Sequence, residues 1–491
     1  MIDSTLLADV RWTFLTADGR TWLNTIAAAQ EVSETVVKSS SKRQVVRALG
    51  VYCKIIHYRG ADAIFKTLHK GNARKEGEQT RRMAEMGLSV PEVLGYGAIT
   101  QNGLLCEEVL LTREVPAGLP LQEILDHKWS QTPPQRKRCI VEGFGRFIET
   151  LHRAGVMHKD PHFGNILLVS DADGDTFVTL DTDKAVLKGR ALNLKERLSN
   201  LARFPSLQYH ASQNEVMRFL ASYGAAAGLS GTTFIRQFSD EFFRHASRIY
   251  RKYANRCLTT NARFTKEHLA GFSVYRKAGN DVAELLKELL PSPDKLMEQG
   301  EIVKEGRTIR AARVQIGGKD YFLKRYNPKS FWYRFRNAFR RSRATKVWLN
   351  AWAFRYRNLP TAEPLICLEE RHYRLLGRSY LLTEYVDDSE PLHLGWPHYD
   401  EQRKASLLVH ISLLLAKMHR LGCIHGDLKW SNLLVRGEQV HLVDLDGSRI
   451  LRRKDLPLFR KDIDRFIKDM EKYSAADFRK AFLALWQKRI R

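Results

Sequence analysis

One pattern occurs twice in this chain and limits what it can fold into. Residues 151–169 read LHRAGVMHKDPHFGNILLV, and residues 418–435 read MHRLGCIHGDLKWSNLLV. Set 267 positions apart, they share H-R-x-G-x-x-H-x-D-x-x-x-x-N followed by an apolar strand. Each copy follows an amphipathic helical pattern, from Ile140 and from Ser406, and precedes a strand-like run ending in D-x-D, at 178–183 and 440–446. Upstream of each lies a short strand carrying one lysine, Lys54 or Lys324. From that lysine to the Asp of H-x-D is 106 residues in the first copy and 103 in the second. So many features repeated at matched distances mean two copies of one domain.

Each copy reads as a strand-rich lobe containing one helix, then a helical lobe that sets the H-x-D loop against a hairpin. Pro291 and Pro293 interrupt the helical pattern, which places the join near 289–296. The first domain is therefore expected over 1–290, with its strand-rich lobe at about 20–115 and its helical lobe at about 116–290. A second, shorter domain is expected over 291–491, because little chain follows Asp446.

Phosphoryl transfer from a nucleotide needs little covalent chemistry and much positioning. A strand lysine holds the α- and β-phosphates, and a helix acid holds that lysine. One Asp orients the acceptor hydroxyl, while an amide and a second Asp hold the metal. H-x-D-x-x-x-x-N followed by an Asp on the next hairpin supplies the last three from one loop. In the first copy the candidates are Lys54, Glu76 (with Glu78 as rival), Asp160, Asn165 and Asp181. His162, two residues after Asp160, is placed near the transferred phosphate, and His158 braces the loop. In the second copy they are Lys324, Asp427, Asn432 and Asp444, with Lys429 two after the Asp and His425 as the brace. Asp183 and Asp446, which close each D-x-D, are read as structural. The cofactors implied are ATP and Mg²⁺. Neither copy has a G-x-G-x-x-G loop; VKSSSKRQ at 37–44 and RTIRAARVQIGG at 307–318 stand in its place. Val347 stands opposite Glu76, and its helix carries no acid, so the first copy is the expected catalyst.

These residues make the chain an α+β protein of two tandem protein-kinase-like bilobal domains, each with a β-rich N-lobe and a helical C-lobe. H-K-D-P-H-F-G-N-I-L-L (158–168), H-G-D-L-K-W-S-N-L-L (425–434) and V-D-L-D-G (443–447) resemble the lipopolysaccharide core sugar kinases, which phosphorylate heptose or Kdo. E-x-x-x-x-x-R-M-A-E-M-G-L-S-V-P-E (76–92) is similar to that family's segment from the αC helix to the fourth strand. The first H-x-D-P-H-x-G-N also resembles the ABC1-type atypical kinases. The resemblance implies an ATP-dependent kinase of a lipopolysaccharide-core or other lipid-linked sugar, cytoplasmic and peripheral at the inner face of the inner membrane. The rivals are a pseudokinase scaffold and an atypical kinase of another small-molecule or protein acceptor.

Charge bears on the same location. The chain carries 80 Lys+Arg against 55 Asp+Glu, a net +25. Residues 321–362 hold eleven Lys or Arg and no acid, with Phe331, Trp332, Tyr333, Phe335 and Phe339 interleaved. Such a stretch suits an anionic membrane surface; nucleic acid is the competing ligand and is not expected. A solvated face whose aromatics belong to the core is the plainer reading. No apolar run approaches the ~18–20 residues of a membrane span. The opening MIDSTLLADVRW lacks the basic start of a secretory signal, and six scattered cysteines without C-x-x-C suit a reducing compartment.

Overall fold

The computed structural model describes residues 9–28, 34–69, 71–159, 161–172, 174–204, 212–229, 231–328, 340–373, 375–451, 455–473 and 475–490. The chain divides into two units, Met1–Phe238 and Ser239–Arg491. Both combine antiparallel sheets with helical lobes.

Unit 1 opens with β1 (Arg11–Phe14), α1 (Ala17–Ala28), β2 (Glu34–Ser40), β3 (Arg43–Ala48), β4 (Val51–His57), α2 (Ala61–Leu68), α3 (Asn72–Glu85), β5 (Val93–Gln101) and β6 (Leu104–Arg113). The six strands form one antiparallel sheet in the order β1-β5-β6-β4-β3-β2. Side chains alternate across a strand. Cys53 and Ile55 therefore face the core under Trp22 and Ile26 of α1, while Ile56 packs with Ala73 of α3 on the other side. Lys54 shares that second face, which aims it at α3. The helical lobe holds α4 (Pro134–Arg153), β7 (Val156–His158), β8 (Ile166–Asp171), β9 (Gly174–Thr179), β10 (Ala185–Leu187), α5 (Leu194–Leu201) and α6 (Gln213–Ala227). Phe144 of α4 centres an aromatic core with Phe163, Phe177, Phe204 and Phe219.

Helix α7 (Thr232–Arg256) crosses the division between the units. Unit 2 continues with β11 (Phe264–Leu269), β12 (Phe272–Lys277), α8 (Asn280–Leu289), α9 (Pro293–Gln299), β13 (Glu301–Glu305), β14 (Ile309–Ile316), β15 (Lys319–Tyr326), α10 (Arg343–Tyr356), β16 (Pro364–His372) and β17 (Leu375–Glu384). Its sheet order is β11-β12-β16-β17-β15-β14-β13. Without the edge strand β11, this is the strand order of unit 1. The helical lobe follows as α11 (Glu401–Arg420), β18 (Cys423–Ile424), β19 (Leu433–Arg436), β20 (Gln439–Leu442), β21 (Arg449–Ile450), α12 (Leu456–Lys472) and α13 (Arg479–Ile490).

The expected boundary at 290/291 differs from this division and falls inside unit 2. β12 pairs with β16, matching Val274 to Leu368, and Val282, Leu286 and Leu289 of α8 pack in the core of the same sheet. A strand and helix preceding the lysine hairpin thus open both copies. The first N-lobe likewise begins at β1, ahead of residue 20. β1 is short and pairs only with β5, some 90 residues downstream, and β12, though hairpinned to β11, joins the main sheet only through β16, some 90 residues downstream, so local pattern hides where each copy begins. Both lobes of unit 2 also gain material from upstream. Trp348 of α10 donates to the Cys257 carbonyl (3.1 Å), and Phe243 of α7 lies against Gly422 in the helical lobe.

Among the described residues no helix is long and apolar enough to cross a membrane. Of the basic stretch, Lys329, Phe331, Trp332, Tyr333, Arg334, Phe335, Arg336 and Phe339 lie outside the described residues. Arg325 pairs with Asp294 (2.9 Å), and Trp348 and Phe354 are core. At these positions the stretch belongs to the fold and not to an external surface.

The first histidines of the two repeats, His152 and His419, are buried. Burial pushes their imidazoles down to about 4 and about 3. His152 hydrogen-bonds Tyr223 and Asn200 (2.8 and 3.0 Å), and His419 stacks on Phe459 with ring centroids 4.5 Å apart. Both stay neutral in the folded chain while the unfolded chain takes up protons below its ordinary value of 6.5. Their stabilising contribution is complete above that pH and is lost as pH falls toward 4 and 3. At pH 5 each is expected to cost about 2 kcal/mol. Thermal unfolding at pH 7.5 and 5.0 should show the drop, and His419→Phe should flatten it; an unchanged pH dependence in the variant would refute this account.

Candidate active site

Helix α3 has no side-chain cap of its own. The buried carboxylate of Glu108 on β6 accepts the Ala73 N–H (3.1 Å) and the Tyr58 hydroxyl (2.6 Å) instead. A Cβ at Gly71 would lie 1.9 Å from Glu108 Oε1, so glycine is required for that carboxylate to reach the helix N-terminus, where negative charge is favoured. This fixes the helix against the sheet and presents Glu76 to Lys54.

Lys54 Nζ donates to Glu76 Oε2 (2.5 Å) and to Asp181 Oδ1 (2.7 Å). The three charges are largely buried, where an ion pair holds only with good geometry. Burial pushes the Glu76 carboxyl up, against the pull of Lys54. Burial also opposes ionisation of Asp181, but Lys54 and Arg43 outweigh it and hold Asp181 down to about 2. Asp181 is therefore a carboxylate at neutral pH. It sits at φ +53°, a left-handed conformation costly for a non-glycine residue and frequent at functional sites. Glu78, the rival acid, pairs with Arg74 (2.8 Å).

The loop around Asp181 is tied to α3. Thr80 and Thr182 share a hydrogen bond (2.6 Å), and Gln79 donates to the Ala185 carbonyl (2.6 Å). His158 bonds the Asp181 carbonyl through Nε2 (3.2 Å). His162 Nδ1 accepts the Gly164 N–H (2.9 Å), which in the neutral ring leaves the proton on Nε2 as a donor. Asn165 closes the short helical turn at Phe163–Asn165. Asp160 lies outside the described residues.

Unit 2 builds the centre differently. The cap residues Gly71 and Ser342 stand 271 positions apart, as do the left-handed Gly87 and Asn358 and the pair Glu76 and Val347. With no acid at Val347, Lys324 donates to Asp444 (2.5 Å) and to Asp446 (2.7 Å). Tyr326 donates its hydroxyl to Asp446 (2.6 Å). The second carboxylate on the lysine thus comes from the D-x-D turn, so Asp446 does more than brace its loop. Asp427 is engaged by Arg465 (2.8 Å) and Lys429 (3.2 Å). Asn432 donates to the Asp427 carbonyl (2.8 Å), leaving its Oδ1 as the acceptor end. His425 bonds the Val443 carbonyl (2.9 Å), and the His425 and Gly426 N–H groups donate to Asp462 (2.8 and 2.9 Å).

Sequence reasoning missed Arg43, Glu108 and Asp446. Arg43, on the hairpin where a glycine loop would stand, reaches Asp181 at 3.4 Å; in unit 2 Lys304 of the matching hairpin lies 3.9 Å from Asp444. The missing glycines and the basic VKSSSKRQ were the available signal. Asn165 and Asp181 offer two hard oxygen donors, which suits Mg²⁺ when substrate phosphates complete its shell.

The sequence model of the lipopolysaccharide kinase (Kdo/WaaP) family matches residues 31–223 and 288–483. The lipopolysaccharide core heptose(I) kinase WaaP of Pseudomonas aeruginosa is 28% identical over 194 residues, which is 37% of this chain and 72% of that protein. The serine/threonine-protein kinase greatwall of Canis lupus familiaris is 33% identical over 83 residues, 16% of this chain and 9% of that protein. Among solved structures, WaaP in complex with acyl carrier protein aligns with a TM-score of 0.36 at 22% identity, over 50% of this chain and 98% of that one.

Proposed function

This chain belongs to the lipopolysaccharide kinase (Kdo/WaaP) family, and from that premise we propose that unit 1 transfers the γ-phosphate of ATP to a sugar hydroxyl of the lipopolysaccharide inner core. As a member of that family it is an ATP-dependent phosphotransferase acting on a sugar hydroxyl. The observation that supports unit 1 is the bridge from Lys54 to both Glu76 and Asp181.

In this reading Lys54 holds the α- and β-phosphates, and Glu76 keeps it in place. Asn165 and Asp181 hold Mg²⁺, which neutralises charge on the phosphates. Arg43 covers the phosphates from the hairpin. Asp160 accepts the proton of the sugar hydroxyl as its oxygen bonds to the γ-phosphorus, the bond from that phosphorus to the bridging oxygen breaks, and ADP leaves. His162 Nε2–H donates to the transferred group. In unit 2, Lys324, Lys429, Asn432 and Asp444 keep a nucleotide-binding set, but Arg465 and Lys429 already engage the carboxylate of Asp427, which an acceptor hydroxyl would have to reach.

A lipid-linked acceptor places the enzyme at the anionic inner face of the inner membrane. Helix α2 suits contact there, since Ile64, Phe65 and Leu68 are 52%, 55% and 78% exposed. In unit 2 the basic aromatic stretch occupies the matching interval between the lysine strand and α10. The test is phosphate incorporation by the full chain into core oligosaccharide, free and on anionic vesicles. A mass gain of one phosphate, higher on vesicles and reduced by salt, is expected. ATP binding without any incorporation would overturn the reading and favour a scaffold.

A further inference from the structure

On the side of α3 away from Lys54, unit 1 has an open groove of about 560 Å³. Four cations from three segments line it: Lys75 and Arg82 of α3, Lys159 from the loop after β7, and Lys184 from the turn after Asp183. Lys75 and Arg82 flank Gln79, whose bond to the Ala185 carbonyl holds this helix face over β10. The Lys159 N–H donates to the Lys184 carbonyl (3.0 Å), so the two loop cations are neighbours. Of the two acids at the groove, Glu78 already pairs with Arg74. Among the described residues Lys75, Arg82 and Lys159 have no ion pair. Like charges gathered this way repel, and an anion would relieve the repulsion.

Unit 2, which keeps the match of Lys75 as Lys346, shows that the fold does not need the other three cations. It keeps the same clamp, since Asn350 donates to the Ser448 carbonyl (2.9 Å). At the positions matching Arg82, Lys159 and Lys184 it has Ala353, Gly426 and Gly447. A Cβ at Gly426 would lie 2.2 Å from the Gly447 carbonyl oxygen, so backbone closes the space that is open in unit 1. Asn350 is also bonded by Tyr250 (3.2 Å), which covers this face of α10.

We propose that the groove is a binding site for a phosphomonoester dianion, separate from the nucleotide site and present in unit 1 alone. Its size fits a phosphorylated sugar unit as well as inorganic phosphate, and Arg and Lys are the side chains suited to that group. An anion there joins α3, the loop before Asp160 and the turn after Asp181, and so holds Glu76 against Lys54. The inference concerns binding and does not require the sugar transfer proposed above.

The test is calorimetric titration of the full chain with inorganic phosphate, glucose 6-phosphate and glucose, with and without saturating ATP. Wild type should bind both phosphates and not glucose, and ATP should not displace them. The double variant Lys75→Gln/Arg82→Gln should bind them at least about tenfold more weakly, with ATP affinity unchanged as the check on folding. Arg82→Lys should keep most of the binding. Tighter binding of glucose 6-phosphate than of phosphate would assign the site to a sugar phosphate, and equal binding to the free ion. Displacement by ATP, or equal binding by the double variant, would overturn the proposal, whether or not the chain phosphorylates a sugar.

Discussion

Asp160→Asn is expected to lower sugar phosphorylation by about 10²–10⁴-fold while ATP affinity stays close to wild type. In the proposed reaction the carboxylate in H-K-D-P-H-F-G-N serves the acceptor, not the nucleotide, so its loss would remove orientation and proton acceptance at the transition state. In free energy this is about 3–5 kcal/mol of barrier. The matched variant Asp427→Asn should cost less than about tenfold, because Asp427 is already held by Arg465 and Lys429. Single-turnover transfer with both variants separates the units. Full activity in Asp160→Asn together with loss in Asp427→Asn would move catalysis to unit 2.

The second large effect is expected at the lysine anchors. Among the described residues, Glu76→Ala leaves Lys54 with Asp181 as its one remaining carboxylate, so in the proposed reaction the lysine would compete with Mg²⁺ for Asp181. Transfer should fall by about 10²-fold, with a higher KM for ATP-Mg²⁺. Removing one member of a buried ion cluster also costs up to about 3–5 kcal/mol of stability, so affinity and melting must be measured on the same sample. Asp446→Ala removes the corresponding anchor of Lys324 and strands the Tyr326 hydroxyl. It should destabilise unit 2 and leave the kcat of transfer within about twofold. Equal kinetic losses from both variants would show that the two centres act together.

The duplicated domain and the α+β class were legible in the sequence because each depends on short-range spacing. H-x-D-x-x-x-x-N places its groups on one loop, and strand alternation sends Lys54 to the face opposite Cys53 and Ile55. The absence of an acid at Val347 was legible for the same reason, since it is a matter of helix register. What replaces that acid was not. Asp446 reaches Lys324 across 122 residues, and the nearby Tyr326 that steadies it reads as an ordinary strand residue. Glu108 and Gly71 form a helix cap only because β6 runs beneath α3. The start of the second copy, β12 and α8, was hidden because β12 joins the main sheet through β16, far along the chain. Local pattern carries propensity and register. Which charge meets which lysine, and where four cations converge, depends on contacts between segments distant in sequence, and only the tertiary structure decided them.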